Sequence, residues 1–228
     1  MDDLTTPRTR GPHPGILALI SAGLFIGSLV SSAILTGGQT FVSPFADTAT
    51  VAAYYEQNFF AARVSAMLQV AASVPLGILA ATLYSRQQRW GARNPGPVIG
   101  LIGGIGSSAM LALSGLLGWT ISQSAVVAEP AVAHALLLLS FATGGVGSVL
   151  GMGLLVAGVA VPAVILRLLP GWLGWAGLVI AVLAELSFLS LVVEPLQVLI
   201  PIGRFGGLAW LIAAGFLLPI RTSNPART

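Results

Sequence analysis

The chain has 228 residues, of which 56% are hydrophobic and only 7% charged, and its mean hydropathy is +0.93. A soluble globular domain carries about 25% charged residues, so this composition excludes a soluble enzyme, a nucleic-acid-binding domain and a disordered chain, and marks an integral membrane protein. The formal charge of +3 rests on ten arginines, with no lysine and no cysteine, which removes Schiff-base chemistry, a P-loop lysine, disulfides, thiolate nucleophiles and cysteine-ligated metals.

A bilayer core of about 30 Å needs roughly 20 apolar residues per helix. Residues 1–14 read as a basic cytoplasmic tail carrying Arg8, Arg10 and His13. The first span follows at Gly15 to Thr36. Its apolar run is long for a cleaved signal peptide, so an uncleaved first helix is expected. Residues 37 to 58 form an outer segment, and span two runs from Phe59 to Ser85. It opens near Arg63 and carries Ser65, Gln69 and Ser73 at i, i+4 and i+8, which is one helical face. Pro75 lies within it and is expected to kink it. Arg86, Arg89 and Arg93 follow in a basic link, and span three runs from Pro97 to Trp119.

The fourth apolar stretch, from about Ala131 to Leu169, is too long for one crossing. At 1.5 Å per residue it would span about 58 Å as a helix. The sequence Thr143-Gly144-Gly145-Val146-Gly147 predicts a break. A short outer helix over residues 130–142, bearing His134, would then be followed by a glycine turn and a span from about Ser148 to Leu168. One tilted helix overshooting the membrane is the alternative. Pro162 is expected to kink this span. Span five runs from Gly171 to Val193 and contains Glu185. Span six runs from Ile202 to Ile220, with Arg204 near its start and a tail at 221–228.

Six spans with both termini inside put eight arginines in the cytoplasm and leave only Arg63 and Arg204 outside. Asp47, Glu56, Glu129 and Glu194 then all fall outside, a segregation that one span more or fewer would scramble. The fold class expected is therefore an all-α polytopic bundle of six helices over residues 15–220, with a broken fourth segment. Pro14-Gly15, Pro95-Gly96 and Pro170-Gly171 each open a span after a basic residue, consistent with three hairpins of similar plan or with ordinary loop punctuation. The pairs Gly23/Gly27, Gly100/Gly104, Gly147/Gly151 and Gly203/Gly207 have the small-xxx-small spacing that lets helices approach closely.

Polar groups inside an apolar chain are the candidates for function. Glu185, in Leu183-Ala184-Glu185-Leu186, costs several kcal/mol in hydrocarbon unless paired or neutral. It is either a ligand- or proton-linked group or a hydrogen-bonded glue, with Gln69 at the same depth as its expected partner. Arg63 and Arg204 defy the positive-inside bias. They either snorkel to head groups and pair with Glu56, Glu129, Glu194 or Glu185, or contact an anionic ligand in an outward-facing cavity. His134, near Glu129, is a further proton-linked candidate. The expected ligand-binding set is thus Glu185, Gln69, Arg63, Arg204 and His134. No catalytic motif, cofactor or metal site is expected. His-Glu-x-x-His and Gly-x-Ser-x-Gly are absent, and Leu113-Ser114-Gly115 with His134 is the nearest approach to an intramembrane serine protease.

The stretch Arg167-Leu-Leu-Pro-Gly-Trp-Leu-Gly-Trp-Ala-Gly-Leu, followed by Gly203-Arg-Phe-Gly-Gly-Leu-Ala-Trp-Leu-Ile-Ala-Ala-Gly-Phe-Leu-Leu-Pro, resembles a group of small bacterial multi-span membrane proteins catalogued as a domain of unknown function. The resemblance is clearest over the C-terminal third. It implies a bacterial cytoplasmic membrane and roughly six helices, and it brings no activity and no site residues. Two functional expectations stand side by side. One is a binding or transport protein with an outward-facing cavity for a small amphiphile, lipid or proton-coupled solute. The other is a structural or accessory subunit of a larger complex, packing against partner chains or copies of itself through its glycine faces.

Overall fold

The computed structural model describes residues 11–219, and these are mostly helical, with no strand among them. Six helices are long and apolar enough to cross a membrane. Arg8, Arg10, Arg221 and Arg227, and the far end of the sixth expected span, lie outside the described residues.

α1 covers Pro14–Leu35, α2 Thr48–Arg89 and α3 Gly96–Ile121. Short α4 (Ser124–Val127) leads into α5 (Pro130–Phe141), a π-helical stretch Ala142–Gly147 and α6 (Ser148–Ile165). α7 (Gly171–Leu186) ends in 3-10 turns at Ser187–Leu191 and Glu194–Val198, and α8 is Leu199–Leu217. The helices pack as a ring, α1 on α2, α2 on α3, α3 on α6, α6 on α7, α7 on α8 and α8 back on α1. The end where α1 begins is called lower, the opposite end upper.

Two expectations about helix shape change. The glycine cluster does not form a turn. Ser114 on α3 bonds to Ser140 on α5, and Ser107 bonds to Ser148 on α6. Gly100 lies against Gly158 further down. α5, the π stretch and α6 therefore run antiparallel to α3 as one helical column, and the glycines widen the helix without breaking it. Glycine suits this place because a Cβ on Gly144 would strike the Ser114 side chain. In α2 the non-helical residue is Asn58 (φ −118°, ψ 25°) and not Pro75. Ser21 donates to the Ala72 carbonyl at 2.8 Å, one residue past the Ala71 carbonyl that loses its helical donor at Pro75, and so ties α1 to α2 there.

α2 also starts earlier than its apolar run suggests, because the polar residues from Thr48 onward are helical. Asp47 is the reason: its carboxylate accepts from the Thr50 N–H at 2.9 Å and from the Thr50 hydroxyl at 2.6 Å, an N-cap. Those bonds hold the Asp47 carboxyl below its ordinary value of 3.8. A carboxyl depressed in the folded state stabilises it fully above its unfolded value and loses that contribution as pH falls through the folded one. Amide exchange over residues 48–54 should therefore accelerate in acid below the ordinary aspartate range. In Asp47→Ala it should already be fast at neutral pH. A wild-type rate showing no such acid limb would remove the cap.

Close packing depends on glycine where the sequence pattern suggested it, with one exception. Gly100, Gly104, Gly147, Gly151, Gly203 and Gly207 all have neighbours within contact distance of an added Cβ, whereas Gly23 and Gly27 have nothing within 4 Å. Serines bolt the ring together: Ser108 donates to the Ser73 carbonyl at 2.7 Å, and Trp210 Nε1 ties α8 to the Leu173 carbonyl at 2.7 Å. Interhelical bonds of this kind are worth about 1 kcal/mol each in a membrane. The main apolar core lies in the middle and lower bundle around Leu76, Leu79, Leu155, Val156 and Leu211, and a smaller one at the top around Val51, Tyr55, Ile121 and Leu137.

Candidate functional site

Between those two cores the upper half of the bundle is hollow. A cavity of about 570 Å³ is walled by α1, α2, α3, α5, the π stretch and α8. That is the size of small-molecule sites, about 300–1,000 Å³. Its surface is mostly apolar, with Phe25, Leu29, Phe41, Leu137, Phe141 and Phe205 contributing, and its polar points include Tyr55, Ser65, Gln69, Ser114, Ser140 and Arg204, with Ser32, Gln39 and Thr40 near the strap. Below it, among Ser21, Leu76, Leu111, Ser148 and Met152, the space narrows to a void of about 10 Å³.

Arg204 is the one charged residue on this wall. It sits in the second turn of α8, where its neighbour Gly203 packs flat on Ala184 and Val149. Its guanidinium lies over the Phe25 ring at 4.8 Å and donates to the Gly145 carbonyl at 3.4 Å. That carbonyl belongs to the π stretch, where the altered ladder makes backbone acceptors available. No carboxylate among the described residues faces Arg204. A guanidinium has five N–H donors, and none of its nitrogens is both buried and unpartnered. The remaining donors therefore keep accessible surface, and the cavity is what they face.

The five expected ligand residues divide. Gln69 and Arg204 meet on the cavity wall, together with Ser65 from the same polar face of α2. Arg63 does not reach it. It donates to the Ser122 carbonyl and hydroxyl and to Gln123, each at 3.3 Å, and lies over the Phe59 ring at 5.4 Å, stapling α2 to the turn after α3. His134 holds the α1–α2 connection, with Nε2 3.0 Å from the Pro44 carbonyl and Nδ1 3.1 Å from the Thr48 hydroxyl. His13 caps α1 at the opposite end, accepting from the Gly15 N–H and packing on Phe216.

Glu185 is turned away from the cavity and from Gln69, because α7 packs between α6 and α8 and not on α2. One carboxylate oxygen lies where a Cβ on Gly153 would meet it at 2.6 Å, and it is buried without a hydrogen-bond partner. The hydroxyls of Ser187 and Ser190 are likewise buried and unpartnered. Glu185→Gln should therefore leave ligand affinity in the cavity unchanged. It should also leave the thermal midpoint near wild type, since the amide has the shape of the carboxyl group and that group already has a buried oxygen without a partner. Loss of binding in Glu185→Gln would put the carboxylate back into the site.

Sequence reasoning missed the aromatic lining and the 36–47 connection that roofs the cavity, since neither has a polar or periodic signature. Ser114 and Ser140 join α3 to α5, bonding to each other at 3.1 Å while lining the cavity.

No family model matches this chain, and no curated protein or solved structure matches it.

Proposed function

We propose that this membrane protein binds a small anionic amphiphile in its upper cavity, with the anionic group on Arg204 and the apolar part against the aromatic walls. The observation that carries this reading is an arginine without a carboxylate partner on the wall of a largely apolar cavity of about 570 Å³. An unpaired charge beside apolar surface is costly and is retained where it meets a ligand or lines a pathway. Gln69 and the serine hydroxyls add neutral donors to the same surface. The arginines at the lower end, Arg86, Arg89, Arg93 and Arg167, assign that end to the cytoplasm, so the cavity belongs to the outer half of the membrane. A bacterial cytoplasmic membrane is the setting that the C-terminal resemblance favours. The narrowing to about 10 Å³ below the cavity supports a binding protein, or the outward-facing state of a transporter, over an open channel.

The experiment is calorimetric titration of the purified protein with three amphiphiles of equal chain length: dodecyl phosphate, dodecanol and dodecyltrimethylammonium. The expected order of affinity is anion first, neutral second, cation last. A cation that binds as well as the phosphate would dismiss Arg204 as the recognition element, and absence of binding by all three would dismiss the cavity as a ligand site.

A further inference from the structure

We propose that the ligand is a membrane-resident anionic lipid that enters sideways, through the cleft between the upper turns of α1 and α8, with its head group at Arg204 and its chain left in the cleft. This rests on the reading of the cavity as an anionic amphiphile site, and adds the source of the ligand and its route.

The roof is the first reason. Residues 36–47 cross the top of the cavity as a strap that begins at Gly37 and Gly38, both with positive φ (66° and 87°). The strap is fastened along its length. Asn58 Nδ2 donates to Gln39 Oε1 at 3.0 Å, and Val42 is buried in the upper core. Phe41 sits edge-on to Tyr54 at 5.6 Å, and Phe45 packs on Phe141 at 5.5 Å. The Pro44 carbonyl is held by His134. The strap narrows the aqueous side without sealing it, since Gln39, Thr40 and Phe41 are exposed as well as cavity-lining, so the chemistry of the walls decides the route.

The side wall is different. α1 and α8 meet closely at the lower end, where a Cβ on Gly215 would lie 2.6 Å from the Gly15 nitrogen, and again where Phe25 faces Phe205 at 6.1 Å. Above that pair both helices line the cavity with residues that are apolar as well as exposed. Leu29 is 46% and Phe205 43% exposed, with Ala33 and Pro201 exposed beside them. In a membrane helix such apolar exposure faces acyl chains. Arg204 precedes Phe205 at the inner edge of this opening. A charged group reached through an apolar slit matches a lipid in both parts, whereas a water-soluble anion gains nothing from the slit.

The test uses the full chain reconstituted in phosphatidylcholine vesicles doped with a photoactivatable phosphatidylglycerol, with labelling followed in the peptides that carry Gln69 and Arg204. Leu29→Trp and Ala33→Trp, which crowd the cleft at exposed positions, should slow labelling and chase by unlabelled lipid together. A gate slows both rates, whereas mere cavity filling would slow labelling and speed the chase. His134→Ala, which frees the strap outside the cavity, should leave the rates unchanged. Faster labelling in His134→Ala with no effect of either tryptophan would overturn lateral entry and favour the roof. Binding of soluble dodecyl phosphate without labelling from vesicles would overturn the lipid assignment and keep the underlying anionic site. Failure of both probes would remove the site itself.

Discussion

Replacing Arg204 by glutamine is expected to cut affinity for dodecyl phosphate about 10- to 100-fold, while dodecanol binds as before. The magnitude follows from hydrogen bonds to charged groups, worth about 1.5–3 kcal/mol, with each 1.4 kcal/mol equal to about a factor of ten. The selectivity follows from position. Arg204 supplies the cavity's only charge, and the apolar walls that hold the chain are untouched by the change. Arg204→Lys should fall between, because an ammonium keeps the charge but loses the planar fork. The same substitutions should leave the unliganded protein as stable as wild type or more so, since the guanidinium has only the Gly145 carbonyl and the Phe25 ring as partners. Thermal unfolding in detergent with and without ligand reads both effects. Loss of phosphate and alcohol binding together would mean a collapsed cavity, and unchanged phosphate affinity would end the role of Arg204.

The largest loss of stability is expected from Gly151→Leu. A Cβ at Gly151 would run into the Ser107 backbone nitrogen, and it would lie 2.7 Å from the Gly103 carbonyl oxygen and 2.8 Å from the Ser107 Cα. These are main-chain atoms of α3 and cannot rotate away, so α6 must move off α3. Overpacking of this kind costs about 1–3 kcal/mol and occasionally more. The separation also loosens the Ser107 hydroxyl from the Ser148 carbonyl, 2.8 Å away, at roughly 1 kcal/mol. Gly23→Leu is the matched control, because nothing lies within 4 Å of that position. Thermal midpoints in one detergent should fall clearly for the first and barely for the second. Equal behaviour would mean that the α3–α6 contact does not hold the bundle.

Composition and the lengths of the apolar runs by themselves determined an all-helical, six-span membrane protein. The solvent decides that much: a bilayer forces backbone polar groups to be satisfied within each segment, so apolar runs of sufficient length become helices whatever they pack against. Local chemistry was legible too, as in the helices that open at Pro14, Gly96 and Gly171 and the polar face that brings Ser65 and Gln69 to the cavity. Facing is a different matter. Glu185 and Gln69 sit at the same expected depth, yet α7 packs on α6 and α8 and turns the carboxylate toward Gly153. Arg63 and Arg204 look alike in sequence, and only packing sends one to Ser122 and the other to the cavity. The glycine run 143–147 announced a departure from the α-helix, but Ser114 and Ser140, 26 residues apart, decided that the chain would widen there and not turn. Helix order around a ring and rotation of each helix about its axis depend on contacts between distant segments, and no local pattern along the chain encodes them.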